Sequence, residues 1–289
     1  MLLKDLQNIF HQELDAMYGK DEVDSFFFLS TDHYLDFPRF RLVLEPEFTI
    51  TTSEYDAFFR VLDQLKQQKP IQYILGETEF YGLNFKVNDA VLIPRPETEE
   101  LVDWILNTNQ NRKTEPLKIL DIGTGSGCIA VSLAKRLPKA KVFALDVSVE
   151  ALKIAKSNAE YNEVDIIFIE ADILDDATWN LASNESNLDI IVSNPPYVRQ
   201  LEKVEIQPNV LDHEPHLALF VEDKNPLKFY KAITNFANQH LKPSGQLYFE
   251  INQYMGEETK ALLRSNDFDA IELIKDLNGN DRMLTGIKK

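Results

Sequence analysis

The stretch Lys118-Ile-Leu-Asp-Ile-Gly-Thr-Gly-Ser-Gly127 decides the fold of this 289-residue chain. An apolar, strand-like run ends there in an acidic residue and three glycines at alternate positions, and a helical pattern starts at Cys128. Strand and helix patterns then alternate to the end of the chain. This alternation predicts an α/β domain with an open, mostly parallel sheet covered by helices on both faces. Ligands of such a sheet bind beyond the carboxyl ends of its strands.

Apolar runs and turn residues place the elements of this domain. The predicted strands are Lys118–Asp121, Lys141–Asp146, Ile166–Glu170, Asp189–Ser193, Gln246–Ile251, Ala270–Leu277 and Met283–Ile287, the last two joined at Asn278–Asn280. The predicted helices are Cys128–Leu137, Val149–Asn162 capped by Ser148, and Pro226–Leu241 capped by Asn225.

The preceding residues have a different organisation. Residues 1–70 carry apolar side chains at helical spacing, and Ser53 has the character of an N-cap, so they predict an all-α helical bundle. Residues 71–94 change to strand-like alternation and predict a β-hairpin linker. The third predicted domain is 95–289, whose first helix begins at Pro96, a residue suited to a first turn.

Composition narrows the function classes. The net charge of −17 disfavours stable binding to nucleic acid, which relies on Lys and Arg at phosphates. No apolar run is long enough to span a bilayer, so no membrane association is expected. Met1–Gln7 lacks the pattern of a signal peptide, and the single cysteine, Cys128, cannot form an internal disulfide. The expected location is therefore the cytoplasm, and the expected state is a monomer.

The glycine turn indicates a nucleotide-like ligand. Its G-x-G-x-G spacing differs from the dinucleotide G-x-G-x-x-G pattern, and an acidic residue opens it. A cationic ligand without phosphate, such as S-adenosylmethionine, suits such a turn. A strand-to-helix turn without any ligand is the alternative.

Two aspartates follow the next strands. Asp146 ends a predicted strand and could accept both hydroxyl protons of a ribose, or it could simply cap the helix that follows Ser148. Asp172 could reach an adenine amino group, or it could cap a loop.

Asn194-Pro-Pro-Tyr197 follows the predicted strand Asp189–Ser193. The side-chain carbonyl of Asn194 and the backbone carbonyl of Pro195 can accept both N–H groups of a planar nitrogen, and two prolines keep these acceptors preorganised. Tyr197 can pack on the planar group. The turn therefore predicts methyl transfer to an amide or aromatic amine, with a rigid structural turn as the alternative.

Other polar residues give weaker signals. Arg95 and Glu97 either close over the site or start a helix, and Glu214 could shape the substrate side. The five histidines are scattered without the spacing of a metal site, so no metal is expected. Cys128 is expected to be a small buried residue rather than a nucleophile.

These motifs together resemble the protein-(glutamine-N5) methyltransferases of the HemK/PrmC type, which modify peptide-chain release factors. The resemblance rests on Gln72–Gly76, Phe80–Gly82, Val91–Glu99, Asp121–Gly127, Asn194–Tyr197, Glu214-Pro215, Ala218-Leu219 and Asp281-Arg282.

The resemblance implies a Rossmann-like, seven-stranded class I methyltransferase domain behind the helical domain, and it implies that the helical domain, residues 1–70, recognises the substrate. It implies S-adenosyl-L-methionine as donor, S-adenosyl-L-homocysteine as product, and the glutamine of the Gly-Gly-Gln loop of class-1 release factors as acceptor. The implied cofactor residues are Gly123, Thr124, Gly125, Ser126, Gly127, Asp146, Asp172, Ile173 and Asn194. The implied glutamine-binding residues are Asn194, Pro195, Pro196 and Tyr197, of which Asn194 and Pro195 are catalytic. Family members often carry an aromatic where Ile173 stands, so its adenine contact is expected from the backbone.

Two other function classes are compatible with the motifs. A nucleic-acid methyltransferase acting on adenine N6 or guanine N2 would use the same turn on a flipped base. A cofactor-sensing scaffold would bind the cofactor without transferring the methyl group.

Overall fold

A computed structural model describes residues 1–179 and 187–289, and these residues form two compact units. The first unit comprises Met1–Gly76 with Gln207–His213, and the second comprises Glu77–Ile206 with Glu214–Lys289. None of the helices in the described ranges is both long and apolar enough to cross a membrane.

The first unit is helical around its own apolar core. Its helices are α1 (Leu3–Tyr18), α2 (Lys20–Leu35), α3 (Arg39–Leu44), α4 (Thr52–Lys66), α5 (Ile71–Leu75) and α9 (Pro208–His213). Phe10, Phe27 and Phe58 are fully buried together in this core. The N-cap of α4 is Thr51 rather than Ser53, because the Thr51 side chain and Glu54 form a reciprocal capping box.

The second unit contains the seven-stranded sheet. Its strands in chain order are β3 (Lys118–Ile122), β4 (Lys141–Asp146), β5 (Ile166–Glu170), β6 (Leu188–Ser193), β9 (Leu241–Glu250), β10 (Phe268–Lys275) and β11 (Asp281–Lys288). The order across the sheet is β10-β11-β9-β6-β3-β4-β5, and only β11 runs in the opposite direction to the other strands of this sheet. The predicted α/β fold with a mostly parallel sheet is confirmed.

Helices and two short strand pairs surround this sheet. The helices are α6 (Pro96–Thr108), α7 (Cys128–Arg136), α8 (Val149–Tyr161), α10 (His216–Leu219), α11 (Lys228–His240) and α12 (Gly256–Arg264). Three-residue to six-residue 3₁₀ turns lie at Gln110–Arg112, Asp176–Trp179 and Gln200–Glu205. The strand pairs are the antiparallel β1 (Glu77–Phe80) with β2 (Leu83–Lys86), and the parallel β7 (Val198–Arg199) with β8 (Phe220–Val221).

Some element boundaries differ from those predicted. Residues 71–75 form helix α5 instead of the predicted strand. Gly76 ends this helix in a left-handed conformation, so the hairpin starts at Glu77. Helix α11 starts at Lys228 because Asn225 accepts the Lys228 amide in a separate turn, so Asn225 is not its N-cap. Strand β10 begins two residues earlier than expected, at Phe268, opposite Lys288.

Candidate active site

The glycine turn and the Asn-Pro-Pro-Tyr turn leave the sheet side by side. Strands β3 and β6 are parallel neighbours, with Ile122 paired to Ser193 at their carboxyl ends. The Ser193 hydroxyl donates to the Ile122 carbonyl at 2.6 Å. Chain order diverges between these two strands, since β4 lies beyond β3 on one side and β9 beyond β6 on the other. Such a divergence is the usual ligand position in open α/β sheets.

A cavity of about 400 Å³ lies at this position. Its floor is formed by the glycine turn Gly123–Ser126 and the ends of the neighbouring strands, and its far side by Asn194–Pro196. The remaining walls come from 90–95 and from Pro215, Leu217 and Ala218. Of the nine residues predicted to bind the cofactor, those that line the cavity are Gly123, Thr124, Gly125, Ser126, Asp146, Asp172, Ile173 and Asn194.

Gly127 does not line the cavity but packs against Ala155, so its contact with the cofactor remains a prediction. It adopts a φ of +82° directly before α7, and a Cβ at this position would lie 3.1 Å from the Cβ of Ala155. Glycine is therefore required both by the left-handed backbone and by the close approach of α8.

Replacing Gly127 by alanine is expected to lower the free energy of unfolding by about 2 kcal/mol, from backbone strain together with overpacking. Gly279→Ala is the matched control, because Gly279 has a φ of +84° and nothing within 4 Å of its Cβ position. Urea unfolding of both variants tests this. If both variants lose the same free energy of unfolding, backbone strain alone explains the loss and the contact with Ala155 contributes nothing.

Asp146 connects the glycine turn to the next loop. Its Oδ2 accepts the Gly125 amide at 2.8 Å and its Oδ1 accepts the Ser148 amide at 2.9 Å. Burial raises the pKa of Asp146, and the hydrogen bonds from these amides oppose that shift. Each carboxylate oxygen keeps a second lone pair, so the group can still accept two hydroxyl protons from the cavity side.

Asp172 and Ile173 line the cavity at the loop after β5. The Asp172 Oδ1 accepts the Leu174 amide at 2.8 Å, which is the loop-capping contact that the sequence left open as an alternative. The Ile173 carbonyl accepts the Trp179 indole N–H at 3.2 Å. Their contact with an adenine ring remains a prediction.

The Asn194 amide has a defined direction. Its Nδ2 donates to Thr98 Oγ1 at 3.2 Å, which leaves Oδ1 as the atom available to a ligand. Asn194 and Pro195 line both the main cavity and a smaller one of about 50 Å³, which also touches Tyr197, Arg95 and Glu250. The site therefore has two compartments of different size that share Asn194 and Pro195 as lining residues.

Tyr197 lies on the side of the smaller compartment. Its hydroxyl donates to Glu250 Oε1 at 3.0 Å, and its carbonyl accepts the Asn252 side chain at 3.0 Å. Burial, followed by the Glu250 carboxylate, raises the pKa of Tyr197, so the phenol stays protonated. Both bonds hold the end of the Asn-Pro-Pro-Tyr turn in place.

Several supporting residues could not be recognised in the sequence. Thr98 and Glu250 are buried and contact the turn residues directly, although each is far from them in the chain. Asn158 donates from Nδ2 to the carbonyls of Ser126 and Lys86, both at 2.9 Å, and so joins the glycine turn to the β-hairpin. Thr, Glu and Asn within amphipathic patterns carry no local signal of such contacts.

Arg95, which is half-buried, and Glu214, which is buried, form an ion pair at the wall of the cavity. Arg95 Nη2 donates to Glu214 Oε1, and the other Glu214 oxygen accepts the Ile93 amide at 3.2 Å. This pair joins the loop before α6 to the segment that precedes α10. Glu97, in contrast, is half-buried, and its Oε1 accepts a hydrogen bond from Asn278 Nδ2 at 3.4 Å.

The two remaining candidates are a reactive Cys128 and a metal site. Cys128 is buried, and burial raises the pKa of its thiol to about 12, so it is not a thiolate at neutral pH. Within residues 1–179 and 187–289, no group of His, Cys, Asp or Glu side chains has the arrangement of a metal site.

Asp121 opens the glycine turn from a fully buried position. Its Oδ2 accepts the Thr124 hydroxyl at 2.7 Å, while Oδ1 has no hydrogen-bond partner among the described residues. Burial raises the pKa of Asp121 to about 7. Between the pKa of the unfolded chain and about pH 7, the folded protein therefore retains a proton here that the unfolded chain has lost.

This shift predicts a pH dependence of stability. Because the pKa is higher in the folded state, the protein binds the extra proton below about pH 7 and loses stability as the pH rises through that value. From about pH 6 to about pH 8 the wild type should lose about 1.4 kcal/mol relative to Asp121→Asn. Urea unfolding of both proteins without cofactor measures this difference. A constant difference would contradict the raised pKa.

Comparison with known proteins agrees with this geometry. The "Methyltransferase small domain" family model matches residues 103–216, and the "PrmC N-terminal domain" model matches residues 11–76. A release factor glutamine methyltransferase from Flavobacterium psychrophilum is 54% identical over 98% of both chains. One from Bacteroides thetaiotaomicron is 42% identical over 95% of this chain and 96% of its own length.

Solved structures support the fold. A T. thermophilus 16S rRNA methyltransferase in complex with AdoMet and guanosine has a TM-score of 0.54 and 19% identity, covering 74% of this chain and 50% of its own. A human methyltransferase 10 domain containing protein has a TM-score of 0.51 and 18% identity, and the match covers 72% of this chain and 90% of the human chain. At these identities the likeness concerns the fold alone. The near full-length similarity to the bacterial enzymes, together with the convergent turns, shows that this methyltransferase belongs to the release factor glutamine methyltransferase family.

Proposed function

We propose that this enzyme transfers a methyl group from S-adenosyl-L-methionine to the side-chain amide nitrogen of a glutamine in a peptide-chain release factor. The observation that carries the proposal is the Asn194 amide, held by Thr98 so that its carbonyl oxygen is free beside the glycine turn. The acceptor glutamine is the one in the Gly-Gly-Gln loop, as the resemblance to the family implies.

The described residues fit the proposed cofactor. A Cβ at Gly123 or Gly125 would meet nothing within 4 Å, so the backbone there faces open space that a ligand can occupy closely. Asp146 supplies a carboxylate for the ribose hydroxyls, and Asp172 and Ile173 border the adenine side. When bound, S-adenosyl-L-methionine supplies an electrophilic methyl group on a sulfonium sulfur.

Asn194 and Pro195 orient the acceptor nitrogen. An amide nitrogen is a weak nucleophile because its lone pair is delocalised into the carbonyl. Hydrogen bonds from both of its N–H groups to Asn194 Oδ1 and the Pro195 carbonyl return electron density to nitrogen and fix its direction. Because these acceptors lie in a turn stiffened by two prolines, little reorganisation is needed when the methyl group is transferred.

The smaller compartment suits the glutamine side chain. It is bounded by Asn194, Pro195 and Tyr197, with Leu92 and Ala218 as apolar walls. Apolar walls exclude water that would compete for Asn194 Oδ1. The Arg95–Glu214 ion pair keeps the two wall segments together, and we propose that it maintains this enclosure.

The acidic net charge of −17 also favours a protein substrate over nucleic acid.

The proposal is tested by incubating the enzyme with labelled S-adenosyl-L-methionine and unmodified release factor, followed by mass analysis of the Gly-Gly-Gln peptide. A release factor with that glutamine replaced is the control, and RNA and DNA form separate arms. We expect one methyl group on the glutamine and none in the other arms. Absence of label on a folded release factor, or label on nucleic acid alone, would overturn the proposal.

A further inference from the structure

We propose that Thr98 is a positioning residue that fixes the direction of the Asn194 amide, with Glu250 fixing the direction of the Thr98 hydroxyl in turn. This inference rests on the proposed role of Asn194 as acceptor for the substrate amide. It adds a mechanism by which the enzyme selects glutamine.

The direction of the first contact follows from counting protons. Thr98 is 2% exposed in the first turn of α6. Its hydroxyl donates to Glu250 Oε2 at 2.6 Å, and its oxygen lies 3.2 Å from Asn194 Nδ2. A hydroxyl has one proton. Because Thr98 uses this proton in the hydrogen bond to Glu250, its oxygen can only accept a hydrogen bond from Asn194. Asn194 must therefore turn its NH₂ group to Thr98 and present Oδ1 to the ligand.

The carboxylate at the start of this relay is itself held. Glu250 lies at the end of β9 with 1% exposure, and its other oxygen accepts the Tyr197 hydroxyl at 3.0 Å. Burial raises the pKa of Glu250, while the hydroxyls of Thr98 and Tyr197 and the charge of Arg282 lower it. Arg282 is fixed by Asp276 at 3.0 Å. When Glu250 is a carboxylate, each of its oxygens receives one hydroxyl donor, and the Thr98 oxygen is then left to accept from Asn194.

The orientation of Asn194 determines which side chain can bind. With Oδ1 presented, the site accepts hydrogen bonds from the N–H groups of glutamine. A glutamate carboxylate has no proton to donate and would place negative charge against two carbonyl oxygens. If the Asn194 amide were reversed, its NH₂ group would face the NH₂ group of glutamine instead. The relay from Glu250 through Thr98 therefore favours glutamine over glutamate.

Substitution at Thr98 tests this relay. Thr98→Val keeps the shape but has no hydroxyl, and Thr98→Ser keeps the hydroxyl. Thr259→Val is the matched control, because Thr259 is fully buried outside the cavity lining and its hydroxyl donates to the Met255 carbonyl at 2.7 Å within its own helix. We measure kcat for release factor methylation, the Kd for S-adenosyl-L-homocysteine, and the melting temperature. A fourth measurement is the ratio of Kd values for release factor with glutamine or glutamate at the acceptor position.

We expect Thr98→Val to lower kcat by about tenfold or more, as is usual for a residue behind a directly contacting group. The preference for glutamine over glutamate should shrink as well, with the Kd for S-adenosyl-L-homocysteine unchanged. Thr98→Ser should restore both kcat and the preference, and Thr259→Val should alter neither. A purely structural role for Thr98 would change the melting temperature without changing the binding ratio.

An active Thr98→Val enzyme with wild-type kcat and wild-type preference would overturn this inference while leaving the proposed function intact. A wild type that does not methylate release factor at all would instead count against the proposed function. If Thr98→Val does not fold, Thr98→Cys replaces it, because a thiol of similar size to the serine hydroxyl is a weak donor and acceptor. Equal activity of Thr98→Cys and Thr98→Ser would also overturn the inference.

Discussion

Asn194→Ala is expected to lower kcat for release factor methylation by about 10²–10³-fold, a loss of about 3–4 kcal/mol of transition-state stabilisation. The substitution removes the oxygen that Thr98 holds ready for the substrate amide. Affinity for S-adenosyl-L-methionine should change little, because the glycine turn and Asp146 remain. Steady-state kinetics with release factor, and calorimetric titration with the cofactor, measure the two effects separately.

The exposed Asn111 provides the control for this substitution, since Asn111→Ala removes the same amide from a surface position. It should leave both kcat and cofactor affinity at wild-type values. If cofactor affinity collapses in Asn194→Ala, the residue shapes the cavity and does not act on the substrate.

In contrast to Asn194→Ala, Asp146→Ala should chiefly weaken cofactor binding, by about a hundredfold, or about 3 kcal/mol. The carboxylate would accept the ribose hydroxyls, and it also accepts the amides of Gly125 and Ser148. The substitution therefore removes ligand contacts and loosens the glycine turn in the same step. Calorimetric titration with S-adenosyl-L-homocysteine gives the Kd.

Asp165→Ala serves as the comparison, because Asp165 is an exposed carboxylate outside the cavity lining. It should bind the cofactor like the wild type. Unchanged affinity in Asp146→Ala would refute the ribose role. A large drop in melting temperature without cofactor would show that the turn, rather than the ligand contact, depends on Asp146.

The sheet could be predicted from the sequence because its strands are short apolar runs bounded by turn residues. Strands β4 and β5 have the predicted bounds, since Lys141–Asp146 and Ile166–Glu170 end abruptly at polar residues. Helix α11 was less predictable. Pro226 suits a first turn, but the preceding Asn225 carbonyl closes a separate turn to Lys228, and only the folded backbone shows which turn continues as helix.

The site was predictable where a residue acts through its place in a turn. The glycine turn, Asp146 and Asn194 follow strand ends, and parallel strands bring their carboxyl ends to one edge, so their meeting follows from topology. Thr98 and Glu250 are 152 positions apart, and although Thr98 lies in the Val91–Glu99 block, nothing in that block points to Glu250. Their contact depends on how α6 packs near the end of β9, which no local spacing encodes.

Gly127 shows the same limit within a motif. The alternating glycines suggested one shared role, yet Gly123 and Gly125 face open space while Gly127 contacts Ala155 on α8. Sequence spacing identifies backbone freedom but not what lies opposite each Cα. Only the packing of α8 against Gly127 distinguishes this glycine from Gly123 and Gly125, beside which space is open.

The most direct measurement is a crystal structure of the enzyme with S-adenosyl-L-homocysteine and a release factor fragment that carries the unmodified glutamine. The account predicts the cofactor sulfur and the glutamine amide nitrogen facing each other between the glycine turn and Asn194. Asn194 Oδ1 and the Pro195 carbonyl should then accept the two amide protons. A complex in which the glutamine lies away from Asn194, or the sulfur points away from that turn, would contradict it.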